Sequence, residues 1–356
     1  MHPHLLLRVH TDLRSGLGHV VRSQVIHEQW KAMGGACTLV VSGDDSARRI
    51  GAGLHPFRDE PLGCGVVDVG TEAHAPVPED VKAGAAVVLL DQGEITAEQV
   101  QALRPLKVAV MEDGGEAHEH ADLLFQPYLD GISWASTPLR NLDGRKVRPW
   151  ETSHGRCRVL RGASFIPVSS AVVRRRPKRE PLQPLAVHKL LVHFEEADGA
   201  ELAAQAHRVL ADMARAGRWS GSCTLVAPGG LDAKPFPGCR VVDRLPDPAS
   251  RLEEFDALWC SGGGELADAI CLGVPVAAWT GDEHKHRILG DIALANGCYN
   301  LGIGSDSDRE ATADALEQWL GPEGQETRQE QTRDGRLLVD GMGASRVVQE
   351  LWALAQ

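Results

Sequence analysis

At 356 residues the chain is longer than one hydrophobic core usually serves, so two domains are expected. A composition of 43% hydrophobic and 24% charged residues is that of an ordinary globular protein and excludes a disordered one. The net charge of -12 excludes the broad basic face that grips nucleic acid, so any anionic ligand has to be held locally.

The eight cysteines are scattered without a C-x-x-C pair, which reads as reduced thiols in a cytoplasmic protein and not as a zinc site. The opening MHPHLLLRVHTD carries only a brief apolar run, and no segment reaches the length of a membrane span. Neither export nor membrane insertion is expected.

In chain order, LLLRV, CTLVVS, VVLLDQ, KVAVMED and ADLLFQ read as strands of the first half, with helices from His19 to Met33 and Thr96 to Leu103. In the second half KLLVHF, SCTLVA, CRVVD, ALWCSG and PVAAW read as strands, with helices from Gly199 to Ala216, Glu265 to Cys271 and His286 to Ala295. Short apolar runs alternating with amphipathic helices are the pattern of a parallel sheet with crossover helices, so the class is α/β. Between the halves, SSAVVRRRPKREPLQPLAV replaces periodicity with basic residues and prolines and reads as a linker over 169–186. The domains are then 1–168 and 187–338. A last segment, 339–356, carries the helix SRVVQELWALAQ, whose apolar residues at helical spacing suit packing back on the first domain.

Two glycine runs mark candidate sites. In Gly16-Leu17-Gly18-His19-Val20-Val21-Arg22 a strand, a glycine turn and a helix start put His19 and Arg22 three residues apart on one helical face. They then sit at the carboxyl end of the sheet, where open α/β folds bind ligands. A neutral His19 imidazole there can act as a base. The bland alternative is a loop whose histidine caps the helix. In Ser261-Gly262-Gly263-Gly264-Glu265-Leu266-Ala267-Asp268 the glycines again follow a strand and open a helix, so backbone amides can hold a pyrophosphate, and Asp268 can take ribose hydroxyls. Here the bland alternative is a flexible loop before a surface helix.

Other polar clusters are weaker signals. His118-Glu119-His120 and His284-Lys285-His286 have i,i+2 spacing in charged loops, which reads as solvated surface, and no metal site is expected. His284, placed after PVAAW, is the better candidate as a donor to phosphate or uracil. Glu112-Asp113 closes KVAVM and can cap a turn or touch the sugar, and reads first as a turn cap.

These runs resemble the GT-B nucleotide-sugar fold, two Rossmann-like domains with a cleft between them. G-L-G-H-V-V-R, D-P-A-S-R-L-E-E-F-D-A-L before S-G-G-G, L-G-V-P, and D-G-M-G-A-S-R-V-V at Asp340–Val348 resemble the PseG/SpsG nucleotide-sugar hydrolases of the MurG-like superfamily. The resemblance implies a UDP-linked amino-deoxy sugar as substrate, His19 assisting attack of water on the anomeric carbon, and a role in nonulosonate or surface-polysaccharide synthesis. It also implies substrate contacts at Gly16, Gly18, Arg22, Asp91, Ser261, Gly262, Gly263, Gly264, Glu265, Asp268 and His284.

Departures from that pattern share a direction. The tyrosine of a D-x-Y strand end is absent from Asp91-Gln92-Gly93, F-G-G-S-D becomes Phe194-Glu195-Glu196-Ala197-Asp198, and G-G-S-T becomes Gly262-Gly263-Gly264-Glu265. Near the end of the second domain an A-D-N-Q-like segment becomes Gly281-Asp282-Glu283-His284-Lys285-His286. Carboxylates beside a diphosphate call for neutralisation, by a cation or a cationic side chain, and a divalent cation or a cationic donor sugar is the need first expected. Hydrolysis of a nucleotide-sugar is the first expectation, without an organic cofactor. Glycosyl transfer from the same donor and a degenerate nucleotide-sugar-binding or partner protein are the alternatives. The sequence leaves the sugar, the base and the oligomeric state open.

Overall fold

A computed structural model describes residues 2–11, 18–44, 48–54, 61–93, 95–112, 117–128, 150–154, 156–194, 199–281, 283–304 and 308–356, with only the backbone described at 48, 150–154, 284 and 288. The chain divides into two compact units: the first takes in Met1–Leu129, Arg140–Ser169 and Gly341–Gln356, the second Ser170–Asp340.

The first unit is built on β1 (His4–Thr11), β2 (Ala36–Gly43), β3 (Gly65–Asp68), β4 (Val87–Asp91), β5 (Lys107–Met111), β6 (Leu123–Gln126), β7 (Trp150–His154) and β8 (Cys157–Arg161). They form one sheet in the order β3-β2-β1-β4-β5-β6-β8-β7. Its pairs are parallel except β7 with β8. The helices are α1 (Gly18–Ala32), α2 (Arg48–Gly51), α3 (Glu79–Ala83) and α4 (Ala97–Ala102). Burial on both faces explains the unbroken apolar runs. On β1, Leu5, Leu7 and Val9 enter a core with Val20, Ile26 and Trp30 of α1, while Leu6 enters a second core with Val40, Val88 and Val110.

The second unit opens with α5 (Ser170–Arg175), followed by β9 (Lys189–His193), α6 (Gly199–Arg215), β10 (Ser222–Val226), β11 (Cys239–Val242), β12 (Ala257–Cys260), α7 (Gly264–Leu272), β13 (Val276–Thr280), α8 (Glu283–Leu294), β14 (Tyr299–Ile303), α9 (Arg309–Leu320) and α10 (Gln325–Leu338). Its sheet is parallel throughout, in the order β11-β10-β9-β12-β13-β14. In both sheets the strand order reverses beside the first strand, between β1 and β4 and between β9 and β12. That switch point is where doubly wound sheets open a ligand crevice at their carboxyl ends.

The sequence reading missed β3, β7, β8, β14, α2, α3, α9 and α10. Strand β3 is only G-V-V-D and β7 is W-E-T-S-H, neither of which has an apolar run long enough to announce itself. The expected linker is not a loose connection. Its start is α5, Arg176 donates to the carbonyls of Cys271, Arg336 and Asp340, and Gln183 donates to Gly273 and Thr332. The polar and basic residues that suggested a linker satisfy carbonyls of the second unit.

The last helix, α11 (Gly343–Leu354), belongs to the first unit. Val347, Val348 and Leu351 enter the core that contains Leu5 and Trp30, and the Trp352 ring lies 4.8 Å from that of Trp30. A Cβ at Gly343 would overlap the Ile166 carbonyl, and Arg346 donates to Ser164 O at 2.9 Å. The D-G-M-G-A-S-R-V-V run therefore serves packing. L-G-V-P is likewise structural: Gly273 caps α7 at φ 81°, and a Cβ there would sit 2.8 Å from Arg336 Cδ.

Candidate functional site

At the first unit's switch point β4 delivers Asp91 opposite Val9 of β1, and α1 brings His19 and Arg22 over its carboxylate. His19 Nδ1 is 2.7 Å from Asp91 Oδ1, Arg22 Nε is 2.8 Å from Oδ2, and Arg22 Nη2 is 2.5 Å from Oδ1. Asp91 has no exposed surface, whereas the side chain of His19 keeps 16% of its surface exposed. Burial opposes the charge on Asp91, but the Arg22 guanidinium and hydrogen bonds from Arg22 and His19 outweigh it and hold the pKa at about 2. A carboxylate only accepts, so the Nδ1 contact requires the proton on that nitrogen, leaving Nε2 as the basic one. The 3.1 Å approach of Arg22 Nη2 to His19 Nδ1 is then two donors converging on one oxygen.

Arg22 also meets Glu112, its Nη1 lying 2.5 Å from Oε2. Burial works against the Arg22 charge, and Asp91 and Glu112 together more than offset it, raising its pKa well above the usual value. Glu112 follows β5 at φ 57°, a left-handed conformation uncommon outside glycine and frequent at functional sites. Its Oε1 is buried and has no partner among the described residues. The turn-cap reading of Glu112 thus gives way to membership of the His19 cluster, a role its position at a strand's carboxyl end had signalled. Asp113 lies outside the described residues.

Gly18 opens α1 outside the left-handed region, and a Cβ there would meet nothing within 4 Å. The backbone at Gly18 itself therefore does not demand a glycine. Gly16 lies outside the described residues. Gly93, where the resemblance has a tyrosine, is exposed with nothing within 4 Å of a Cβ, while Gln92 is buried and donates to Gln99.

The second unit repeats the arrangement with strand and helix exchanged. Cys260 of β12 pairs with His193 of β9, and the chain then runs through Ser261, Gly262 and Gly263 into α7. Gly262 is left-handed at φ 99°, and a Cβ there would sit 2.8 Å from Leu289 Cδ2. Gly263 is an extended N-cap with no capping side chain, which leaves first-turn amides for an anion. Gly264 has open space around its Cβ position.

Glu265, in that first turn, is buried, and its Oε1 lies 2.5 Å from His193 Nδ1. The carboxylate feared for the anion site is therefore met by a histidine that the sequence reading passed over, though His193 stands next to the quoted Phe194. Asp268 is half-buried one turn on. Residue 284 lies in the first turn of α8, with its side chain outside the description, as are Glu195 and Glu196. His118 and His120 lie on one short turn, and no three His, Cys, Asp or Glu groups among the described residues form a metal-binding set. None of the eight cysteines is in a disulfide, and no described helix is long and apolar enough to cross a membrane.

No protein-family profile matches this chain, and no curated protein matches it in sequence. Solved structures do match it in shape. MurG of Acinetobacter baumannii aligns over 99% of this chain and 99% of its own, at 11% identity and a TM-score of 0.61. LpCGTa, solved with UDP, aligns over 100% of this chain and 99% of its own, at 15% identity and a TM-score of 0.63. The UDP-GlcNAc 2-epimerase of Neisseria meningitidis, solved with UDP-GlcNAc, aligns over 98% of this chain and 100% of its own, at 11% identity and a TM-score of 0.61. These likenesses establish the fold: two Rossmann-like parallel-sheet units of the GT-B kind.

Proposed function

We propose that the protein is an enzyme of nucleotide-sugar chemistry, and that it transfers the sugar of a UDP-sugar to a hydroxyl acceptor. The observation that carries this reading is the His19–Asp91 pair, a buried acid fixing the tautomer of a partly exposed imidazole at a switch point. In the reaction the acceptor hydroxyl gives its proton to His19 Nε2 and its oxygen bonds to the anomeric carbon. The bond from that carbon to the diphosphate oxygen breaks, and its electron pair leaves with UDP. The second unit has its own place for a diphosphate, the first turn of α7, whose N-cap Gly263 makes no side-chain capping bond. Asp91 has both oxygens occupied and is a positioning residue, while Glu112 Oε1 is an acceptor for a substrate hydroxyl. CalG4, the calicheamicin glycosyltransferase, and the glycosyltransferase SnogD of Streptomyces nogalater share the fold and support transfer, and the UDP-bound LpCGTa structure supports a UDP-sugar donor.

Hydrolysis, with water in place of the acceptor, is a second reading, favoured by the likeness of residues 16–22 to the PseG/SpsG hydrolases. Release of UDP from a panel of UDP-sugars, with and without hydroxyl acceptors in oxygen-18 water, tests both. UDP release only with an acceptor supports transfer, and label in the freed sugar supports hydrolysis. No UDP release under any condition overturns the enzymatic reading.

A further inference from the structure

His193 and Glu265 come from different elements, the end of β9 and the first turn of α7, and meet at the unit's switch point. The PseG/SpsG resemblance has a neutral hydroxyl residue where Glu265 stands. A carboxylate at this helix start occupies the place to which the amides and the helix dipole would otherwise draw a phosphate. Beside a bound diphosphate it adds a like charge in a site where burial strengthens repulsion. Glu265 and His193 keep only 6% and 13% of their side-chain surface, so water screens neither well. A carboxylate only accepts, so in this contact His193 Nδ1–H donates to Glu265 Oε1.

We propose that His193 is a specificity-determining residue of the nucleotide site: it neutralises Glu265 from within the protein, so that the second unit binds a nucleoside diphosphate without a divalent cation. This rests on the proposed function, which places the nucleotide at α7. Of the sources of neutralisation that the sequence left open, it takes a side chain of the protein and gives it a number, His193, in place of an external metal or a cationic sugar.

Calorimetric titration of the full chain with UDP, in EDTA and in magnesium, tests the proposal on wild type, His193→Gln, Glu265→Gln and the double variant, each checked by thermal unfolding. Wild-type affinity should be the same in EDTA and magnesium. His193→Gln should weaken UDP binding by about tenfold or more, since it strands a buried carboxylate beside the ligand. The double variant should recover to within about threefold of wild type, because with the carboxylate gone its partner is no longer needed. Unchanged affinity in His193→Gln, a double variant as weak as that single one, or wild-type binding abolished by EDTA would each overturn the proposal. Should His193→Gln fail to fold, Glu265→Gln decides alone: binding at least as tight as wild type supports the repulsion argument, and a tenfold loss refutes it. A folded wild type that binds no UDP in either buffer overturns the proposed function, and with it this inference. That outcome differs from a wild type that binds while its variants are indistinguishable from it, which overturns the inference alone.

Discussion

His19 Nδ1 stands 2.7 Å from Oδ1 of Asp91, an acid with no exposed surface, and the same oxygen receives Arg22. One buried carboxylate thereby sets both the tautomer of the imidazole and the position of the guanidinium.

If Nε2 of His19 is the base, His19→Ala should lower turnover of a UDP-sugar by about 10²- to 10⁴-fold while UDP affinity stays near wild type. Asp91→Asn should also lose turnover, because an amide can donate to Nδ1 and favour the tautomer with the proton on the wrong nitrogen. Full activity in either variant, measured as UDP release, would make the pair structural.

Acid should loosen the first unit. The folded pKa of Asp91, about 2, lies below its ordinary 3.8, so its ionised form stabilises the fold above that ordinary value. The stabilisation is lost as the pH falls toward 2, by about 2–3 kcal/mol in all. Denaturant unfolding between pH 5 and pH 2, followed on wild type and Asp91→Asn, should show the wild type losing more stability; parallel curves would exclude Asp91 as the source.

Among the glycines before α7, residues 262 and 263 separate fold from function. Gly262→Ala forces a side chain into φ 99° and against Leu289, and should cost about 1–3 kcal/mol. Gly263→Val, at φ -73° in an extended N-cap, should leave the unfolding midpoint near wild type and remove the stabilisation that UDP confers. Equal UDP affinity in Gly263→Val, by calorimetry, would put the nucleotide elsewhere.

Gly343→Ala should destabilise the first unit by about 1–3 kcal/mol, because the obstruction is the backbone carbonyl of Ile166, which cannot rotate away as a side chain would. The midpoint of urea unfolding reads this directly. A neutral outcome would mean that α11 is held by Val347, Val348 and Leu351 without needing close approach at its start.

The sequence carried the fold class well, since strands buried on both faces leave continuous apolar runs, as in L-L-L-R-V and V-V-L-L-D. Short or polar edge elements such as β3 and β7 carry no such signature and went unread. His19, Arg22 and the glycines at 262–264 were legible because a glycine run at a strand-to-helix junction has a local pattern. His193 was not, for its role arises from a pairing 72 residues away with Glu265, and Glu112 was legible only as one of two readings of a strand end, since its partner Arg22 is supplied by the fold. The proline-rich stretch before β9 misled for a related reason: Arg176 and Gln183 look solvated in sequence, and only the fold supplies the carbonyls they bind.

The first unit takes its last helix from beyond residue 340, after the whole of the second unit has been encoded. During synthesis, Trp30 and its neighbours around Leu5 and Ile26 therefore wait uncovered while some 170 residues emerge from the ribosome and acquire a core of their own. The later part of the chain can mature first, and the earlier part last, so a released chain that ends at residue 340 carries the whole second unit while its first still shows an apolar face to chaperones.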